Sequence, residues 1–146
     1  MNMMNIIVDS WAWIEYFAGT KYGAIVKEYL EKHVCFTPNI VLLEIAGKYA
    51  REGFSEKEIL KRILFIIKKT EIIEFTYEDA VKASFCYLEL REHARKLGLK
   101  KKPGIADGLL LALARRYNAK ILTGDEHFRE ITEVIFIKAI KSNYNK

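Results

Sequence analysis

Apolar residues recur along this chain with two periods. Short runs such as NIIV, VCFT and KILT hold consecutive apolar residues bounded by single polar ones, as short strands buried on both faces do. Between them lie longer segments whose apolar positions return every three or four residues, the helical period. The pattern predicts a strand Asn5–Val8, a helix over WAWIEYFAG ending at Gly19, a helix Lys21–Lys32 and a strand VCFT. Pro38 is expected in the first turn of a helix that runs through VLLEIAGKY to Arg51. Ser55 with Glu58 forms a capping box for SEKEILKRILFIIKK. A strand Glu71–Phe75 and a long helix Tyr77–Leu97 follow, then the basic loop LGLKKKPG, the strongest punctuation in the chain. The end reads as helix Ile105–Tyr117, strand Lys120–Thr123, a short helix at GDEHF, a strand in EVIFIK and a frayed SNYNK. Strands alternating with helices predict an α/β fold whose mostly parallel sheet is covered on both faces.

Length changes this picture little: 146 residues suit one domain, residues 1–146, with no internal repeat or linker. There is no apolar run of about 18 residues to span a bilayer and no secretory signal in MNMMNIIVDS, so a cytoplasmic location is expected. Cys35 and Cys86 stand far apart with no second zinc ligand nearby, and are expected to be buried reduced thiols. The net charge of +5 and pI near 9.1 favour an anionic partner, with nucleic acid first.

Four acids stand out against this pattern. Asp9 directly follows the first strand and Asp125 follows the fourth, which puts both at the carboxyl edge of a parallel sheet, where ligands bind in such folds. Either acid can instead be a helix cap. Glu44 has Ile40, Val41 and Gly47 as helical neighbours, an apolar or small face for a charge. Asp107 is the single charge between Pro103 and Arg115, with Leu110, Leu111 and Ala114 on its side of the helix. Its alternative is an acid in a first turn, favoured by the helix dipole. Converging carboxylates repel one another, and a hard divalent cation such as Mg²⁺ or Mn²⁺ resolves the conflict. An acidic, hydrated metal site on a basic protein is the pattern for cutting a phosphodiester.

The ordered segments IIVDSWAWIEYF, PNIVLLEI and IADGLLLALARRYNAKILTGDEHF resemble PIN-domain ribonucleases, most closely the VapC-type toxins of prokaryotic toxin-antitoxin pairs. The resemblance covers nearly the whole chain. It implies a PIN-like three-layer α/β/α sandwich with a mostly parallel five-stranded sheet. It also implies Mg²⁺- or Mn²⁺-dependent endoribonuclease activity, frequent homodimers and inhibition by a small antitoxin. The family's acids fall on Asp9, Glu44, Asp107 and Asp125, and its assisting hydroxyl on Thr123; Ser10 is expected to help similarly.

On this reading Asp9, Glu44 and Asp107 hold one or two ions per site, with Asp125 acting directly or through water. The expected hydrolysis leaves 5′-phosphate and 3′-hydroxyl ends. No histidine is required: His127 is expected behind the ligands or exposed, and His33 and His93 on the surface. Lys100, Lys101 and Lys102, with Arg115 and Arg116, are candidate phosphate contacts; a solvated basic loop and helix end is the plainer account. Trp11, Trp13, Tyr16 and Phe17 are read as packing residues, with a partner surface second. The SEKEILKRILFIIKK stripe is a candidate dimer or antitoxin contact. Two other readings stand beside this one. A phosphoaspartyl enzyme lacks the acid two residues after Asp9, where Trp11 stands, and lacks paired acids at the first strand. A non-catalytic PIN-like module, binding RNA or protein, would keep these acids merely as caps.

Overall fold

The computed structural model describes residues 2–141; the expected frayed end SNYNK lies outside them. Five strands, β1 (Asn5–Val8), β2 (Val34–Pro38), β3 (Glu71–Ile73), β4 (Lys120–Thr123) and β5 (Val134–Phe136), form one sheet in the order β3-β2-β1-β4-β5. Every pairing is parallel. The helices are α1 (Ser10–Ala18), α2 (Lys21–Lys32), α3 (Asn39–Arg51), α4 (Glu56–Lys69), α5 (Tyr77–Leu97) and α6 (Ile105–Arg116). None is long and apolar enough to cross a membrane among the described residues.

This strand order dictates the layers. The chain steps outward from β1 to β2 to β3, then jumps back across to β4. Right-handed crossovers therefore put α1–α4 on one face and α5 and α6 on the other. Packing agrees, with α1 against α2 and α3, α3 against α4, and α5 against α6. The sheet thus has the PIN-like α/β/α arrangement. The reversal of direction lies between β1 and β4, which are neighbours in register Val8 to Leu122. Their carboxyl ends open the crevice that follows from this topology.

The apolar runs become the core as their composition requires: Ile6, Ile7, Val8, Ile121 and Leu122 are fully buried. Helix α6 is buried from Gly108 through Ala114, which explains why its sequence carries no polar face there. One polar chain threads the other layer. Trp13 Nε1 donates to Thr37 Oγ1 (3.2 Å), which is bonded to Thr70 Oγ1 (2.7 Å), and Thr70 donates to the Ile66 carbonyl (3.1 Å). The Thr70 proton is thereby used, so Thr37 donates within the hydroxyl pair and every member is satisfied. Trp13 is buried, and Tyr16 and Phe17 pack with Phe65 of α4, so these aromatic residues are packing residues.

Several boundaries differ from expectation. Pro38 closes β2 and caps α3 instead of entering its first turn, because its extended backbone (ψ 140°) still belongs to the strand. β3 stops at Ile73, where its pairing with Pro38 ends. β5 is only Val134–Phe136, and the residues after it turn into a 3₁₀ segment, Ile137–Ala139. The expected capping box at Ser55–Glu58 forms, and the structure has another at Thr76–Asp79. Cys35 and Cys86 are buried free thiols.

Gly108 sits where α6 meets α5. A Cβ there would stand 2.5 Å from the Ala83 carbonyl oxygen and 2.8 Å from the Tyr87 backbone nitrogen, neither of which can move aside. Gly108→Ala is expected to cost about 1–3 kcal/mol in urea denaturation. Gly47→Ala in mid-α3 meets only the flexible Arg51 Nη1 at 3.3 Å and is expected to gain about 0.5–1 kcal/mol.

Candidate metal centre

Asp9 ends β1 and caps α1, its Oδ1 accepting the Ala12 N–H at 2.9 Å. The two readings of this residue are therefore compatible, since one oxygen caps while the carboxylate still borders the crevice. Its residue is only 3 % exposed. Burial pushes its pKa from 3.8 up to about 8, the Thr123 hydroxyl and the Ala12 N–H oppose the rise, and the charges of Asp125 and Glu44 add to it.

Glu44 reaches the same place from α3. Its flanking Val41 and Ile45 are buried while Glu44 itself is exposed, so it stands at the mouth of the crevice. Desolvation, then Asp107 and Asp125, push its carboxyl up to about 7; water at its outer side screens this charge more than that of Asp9. Asp107 lies in the first turn of α6, where its Oδ2 accepts the Gly104 N–H at 2.8 Å. Burial raises its pKa, the Gly104 N–H lowers it, Asp125 raises it, and His127 and Lys101 lower it again. Asp125 caps a 3₁₀ turn, Glu126–Phe128, with Oδ1 accepting the His127 N–H at 3.1 Å.

Three of the four acids thus sit at helical N-termini, where free N–H groups and the helix dipole hold negative charge. Thr123 is fully buried between two of them: its Oγ1 accepts the Asp125 N–H at 3.0 Å, and its hydroxyl lies against Asp9. Ser10 opens α1, half-buried beside Asp9. Beside this group, Gly124 touches the Trp11 ring so closely that a Cβ would fall 2.4 Å from it. The glycine of TGD therefore lets Trp11 form a wall of the crevice.

Of the two placements expected for His127, the exposed one is not found. The residue is buried, 5 % exposed, and faces the acids, with Nδ1 3.4 Å from Asp107 Oδ2 and 3.3 Å from Asp125 Oδ1. Its Nε2 is 3.0 Å from the Lys101 carbonyl oxygen. The sequence signal was slight: one of three histidines, two residues after Asp125 and next to the core residue Phe128. His33 and His93 are half-buried, with His33 Nδ1 accepting the Met4 N–H and His93 bonded to the Arg129 carbonyl.

The cations divide. Lys100 and Lys101 line a cleft of about 400 Å³ with Trp11, Asp125 and His127, and Lys138, which the sequence did not single out, joins them. Lys102 lines a separate hollow with Arg91 and Arg95. Arg115 and Arg116 lie at the far end of α6, about 12 Å along its axis from Asp107. Arg115 is bound to Glu89 and Glu133, and Arg116 to Asp79 at 2.6 Å, so both guanidinium groups serve the packing of the fold.

The residues fit a divalent ion. Hard oxygen donors crowd together, each raising its neighbours' pKa, and the ligand atoms of Asp107, Asp125 and His127 lie within 4.8 Å of one another. Within this group the buried Nδ1 of His127 has no hydrogen-bond partner. A model of the PIN domain family matches residues 6–134. The chain belongs to the PIN domain family.

The PIN fold seen here is similar to that of VapBC2 from Rickettsia felis, solved with a DNA fragment from their promoter: 21 % identity, 91 % of this chain, 97 % of that chain, TM-score 0.63. It is likewise similar to a toxin-antitoxin complex from Klebsiella pneumoniae: 14 % identity, 90 % and 97 % covered, TM-score 0.64. A third is VapC20 of Mycobacterium tuberculosis, a Sarcin-Ricin loop cleaving toxin: 15 % identity, 85 % and 91 % covered, TM-score 0.53. No curated relative matches the chain in sequence.

The raised carboxyls make the metal-free PIN domain sensitive to pH. An acid whose pKa is higher folded than unfolded takes up protons preferentially in the folded state. Its contribution is full below the unfolded value near 3.8 and is lost as pH climbs through about 8. In EDTA the protein is expected to melt higher at pH 5 than at pH 8. Asp9→Asn, which keeps a good N-cap but not the charge, is expected to flatten that dependence and raise the pH 8 melting temperature.

Proposed function

We propose that this protein is a divalent-metal-dependent endoribonuclease, the toxin of a toxin-antitoxin pair, acting in the cytoplasm. The observation that carries the reading is the convergence of Asp9, Glu44, Asp107 and Asp125 at the β1–β4 crevice beside a basic loop. When bound, Mg²⁺ or Mn²⁺ supplies Lewis-acid charge at the phosphate and an acidified water. Asp9, Glu44 and Asp107 hold one or two such ions, with Asp125 contributing directly or through water. Thr123 steadies Asp9 and Asp125 with its hydroxyl, and Ser10 sits beside them. The Trp11 wall and the buried floor limit water to the crevice mouth. Lys100, Lys101 and Lys138 draw the RNA phosphate to that mouth. Hydrolysis leaves 5′-phosphate and 3′-hydroxyl ends.

The neighbours' own roles support the toxin assignment, two being toxin-antitoxin complexes and one an RNA-loop cleaving toxin. A groove between α3 and α4, lined by Ala46, Gly47, Ala50, Ile59, Leu60 and Ile63, supports an antitoxin contact. Leu43, Leu64 and Ile67 are large exposed apolar residues on the same two helices, the surface an amphipathic helix would cover. Exposed Tyr77, Val81, Phe85 and Leu88 repeat along α5 and support a homodimer face.

Incubation with small structured RNAs is expected to give 5′-phosphate products with Mn²⁺ and none with EDTA. Asp9→Asn and Asp107→Asn are expected to lower the rate by roughly a hundredfold or more. Equal cleavage by all three proteins would implicate a contaminant, and 2′,3′-cyclic phosphate ends formed without metal would overturn the mechanism. Neutralising Lys100 and Lys101 together is expected to weaken RNA binding across sequences and to reduce the salt slope by about 2. Neutralising Lys102 is expected to change it less.

A further inference from the structure

We infer that His127 is itself a metal ligand, through Nδ1, so that the centre binds its ion with a mixed nitrogen and oxygen donor set and favours Mn²⁺ over Mg²⁺. The inference rests on the metal-dependent reading above and goes beyond its four acids.

The contact of one ring nitrogen assigns its hydrogen. The Lys101 carbonyl, 3.0 Å from Nε2, can only accept, so Nε2 carries hydrogen and donates. With hydrogen on Nε2, Nδ1 is the ring atom free to offer a lone pair to an ion. It is buried, lacks any hydrogen-bond partner and is directed at two carboxylates. A cation standing between Nδ1 and the two carboxylates would take all three as ligands, in the place a proton on Nδ1 would otherwise fill.

The spacing indicates what fits. The Nδ1 separations from Asp107 Oδ2 and Asp125 Oδ1, 3.4 and 3.3 Å, exceed the roughly 2.7–2.9 Å of a charge-assisted hydrogen bond. Ligand atoms bonded at about 2.1 Å to one ion stand about 3.0 Å apart at right angles and about 3.4 Å apart at tetrahedral angles. The two Nδ1 gaps leave room for one shared ion and need to close by a few tenths of an ångström for an octahedral one. Both carboxylate oxygens already accept a backbone N–H, from Gly104 and from His127 itself, and each keeps a further lone pair for an ion. The Nε2–H to carbonyl bond is the support that ligating histidines usually have on their other nitrogen. Here it comes from the LGLKKKPG loop, which thereby orients the ligand through its backbone while Lys100 and Lys101 line the cleft.

An imidazole nitrogen distinguishes ions that four carboxylates barely separate. Mg²⁺ strongly prefers oxygen and keeps its waters, whereas transition ions gain from nitrogen donors.

The test uses Mn²⁺ alone on the full-length protein, read by electron spin echo modulation and by calorimetry. Stoichiometric Mn²⁺ is expected to show nitrogen-14 coupling from a directly bound imidazole, converted to the nitrogen-15 pattern when histidine is isotopically labelled. His33 and His93 are held by other partners, so wild-type protein suffices even if a His127 variant folds poorly. In folded His127→Gln the coupling is expected to vanish and the Mn²⁺ Kd to rise on the order of tenfold, with a smaller change for Mg²⁺. Mn²⁺ bound at the acids without nitrogen coupling would overturn this inference and leave the metal nuclease reading standing. Failure of Mn²⁺ to bind wild-type protein at all would overturn both.

Discussion

The burial of carboxylates beside one another in a single crevice is the constraint around which this protein is arranged. Asp9, Glu44, Asp107 and Asp125 come from four separate elements to one crevice, and burial with the neighbouring charges raises the pKa of Asp9, Glu44 and Asp107. No folding benefit requires this: Asp9 caps α1 with a single oxygen, and an asparagine would cap as well. The surrounding structure accordingly tempers the repulsion. Backbone N–H groups at the starts of α1, α6 and the 3₁₀ turn each hold one carboxylate oxygen, and Thr123 sits against two of the acids. What remains uncompensated is a cation-sized demand for positive charge.

The sheet makes that convergence possible. With every strand parallel and the direction of winding reversed between β1 and β4, the carboxyl ends of two adjacent central strands face an opening that no crossover covers. The glycines do the fine placement. Gly108 lets α6 approach α5, which sets the start of α6 and so Asp107, and Gly124 admits the Trp11 ring beside Asp125. Basic residues then separate by role. Arg115 and Arg116 tie α5, α6 and the approach to β5 together, whereas Lys100, Lys101 and Lys138 remain at the cleft.

Much of this was legible in the sequence because the relevant signals are local. Apolar runs marked the strands, the Ser55–Glu58 pair marked the start of α4, and the limits read for the long helix are those of α5. The acids were legible because each violates its own surroundings: Asp107 on a buried helix, Glu44 beside Val41 and Ile45. His127 was not legible, since nothing within a few residues reveals that its ring is buried or that its partner is a carbonyl 26 residues earlier. The same holds for Lys138, brought to the cleft by the 3₁₀ segment after β5, and for the arginines, whose acid partners lie on α5 and before β5.

The sequence by itself determined the periodicity, the order of elements and the four misplaced acids, because strand burial, helix capping and the cost of a charge among apolar neighbours all act over a few residues. Tertiary structure alone decided which acids meet, which cations line the cleft and which nitrogen faces the acids. Those outcomes depend on distances between residues far apart along the chain, and a hydrogen bond or ion pair is set by a few tenths of an ångström that only the packed sheet and helices fix.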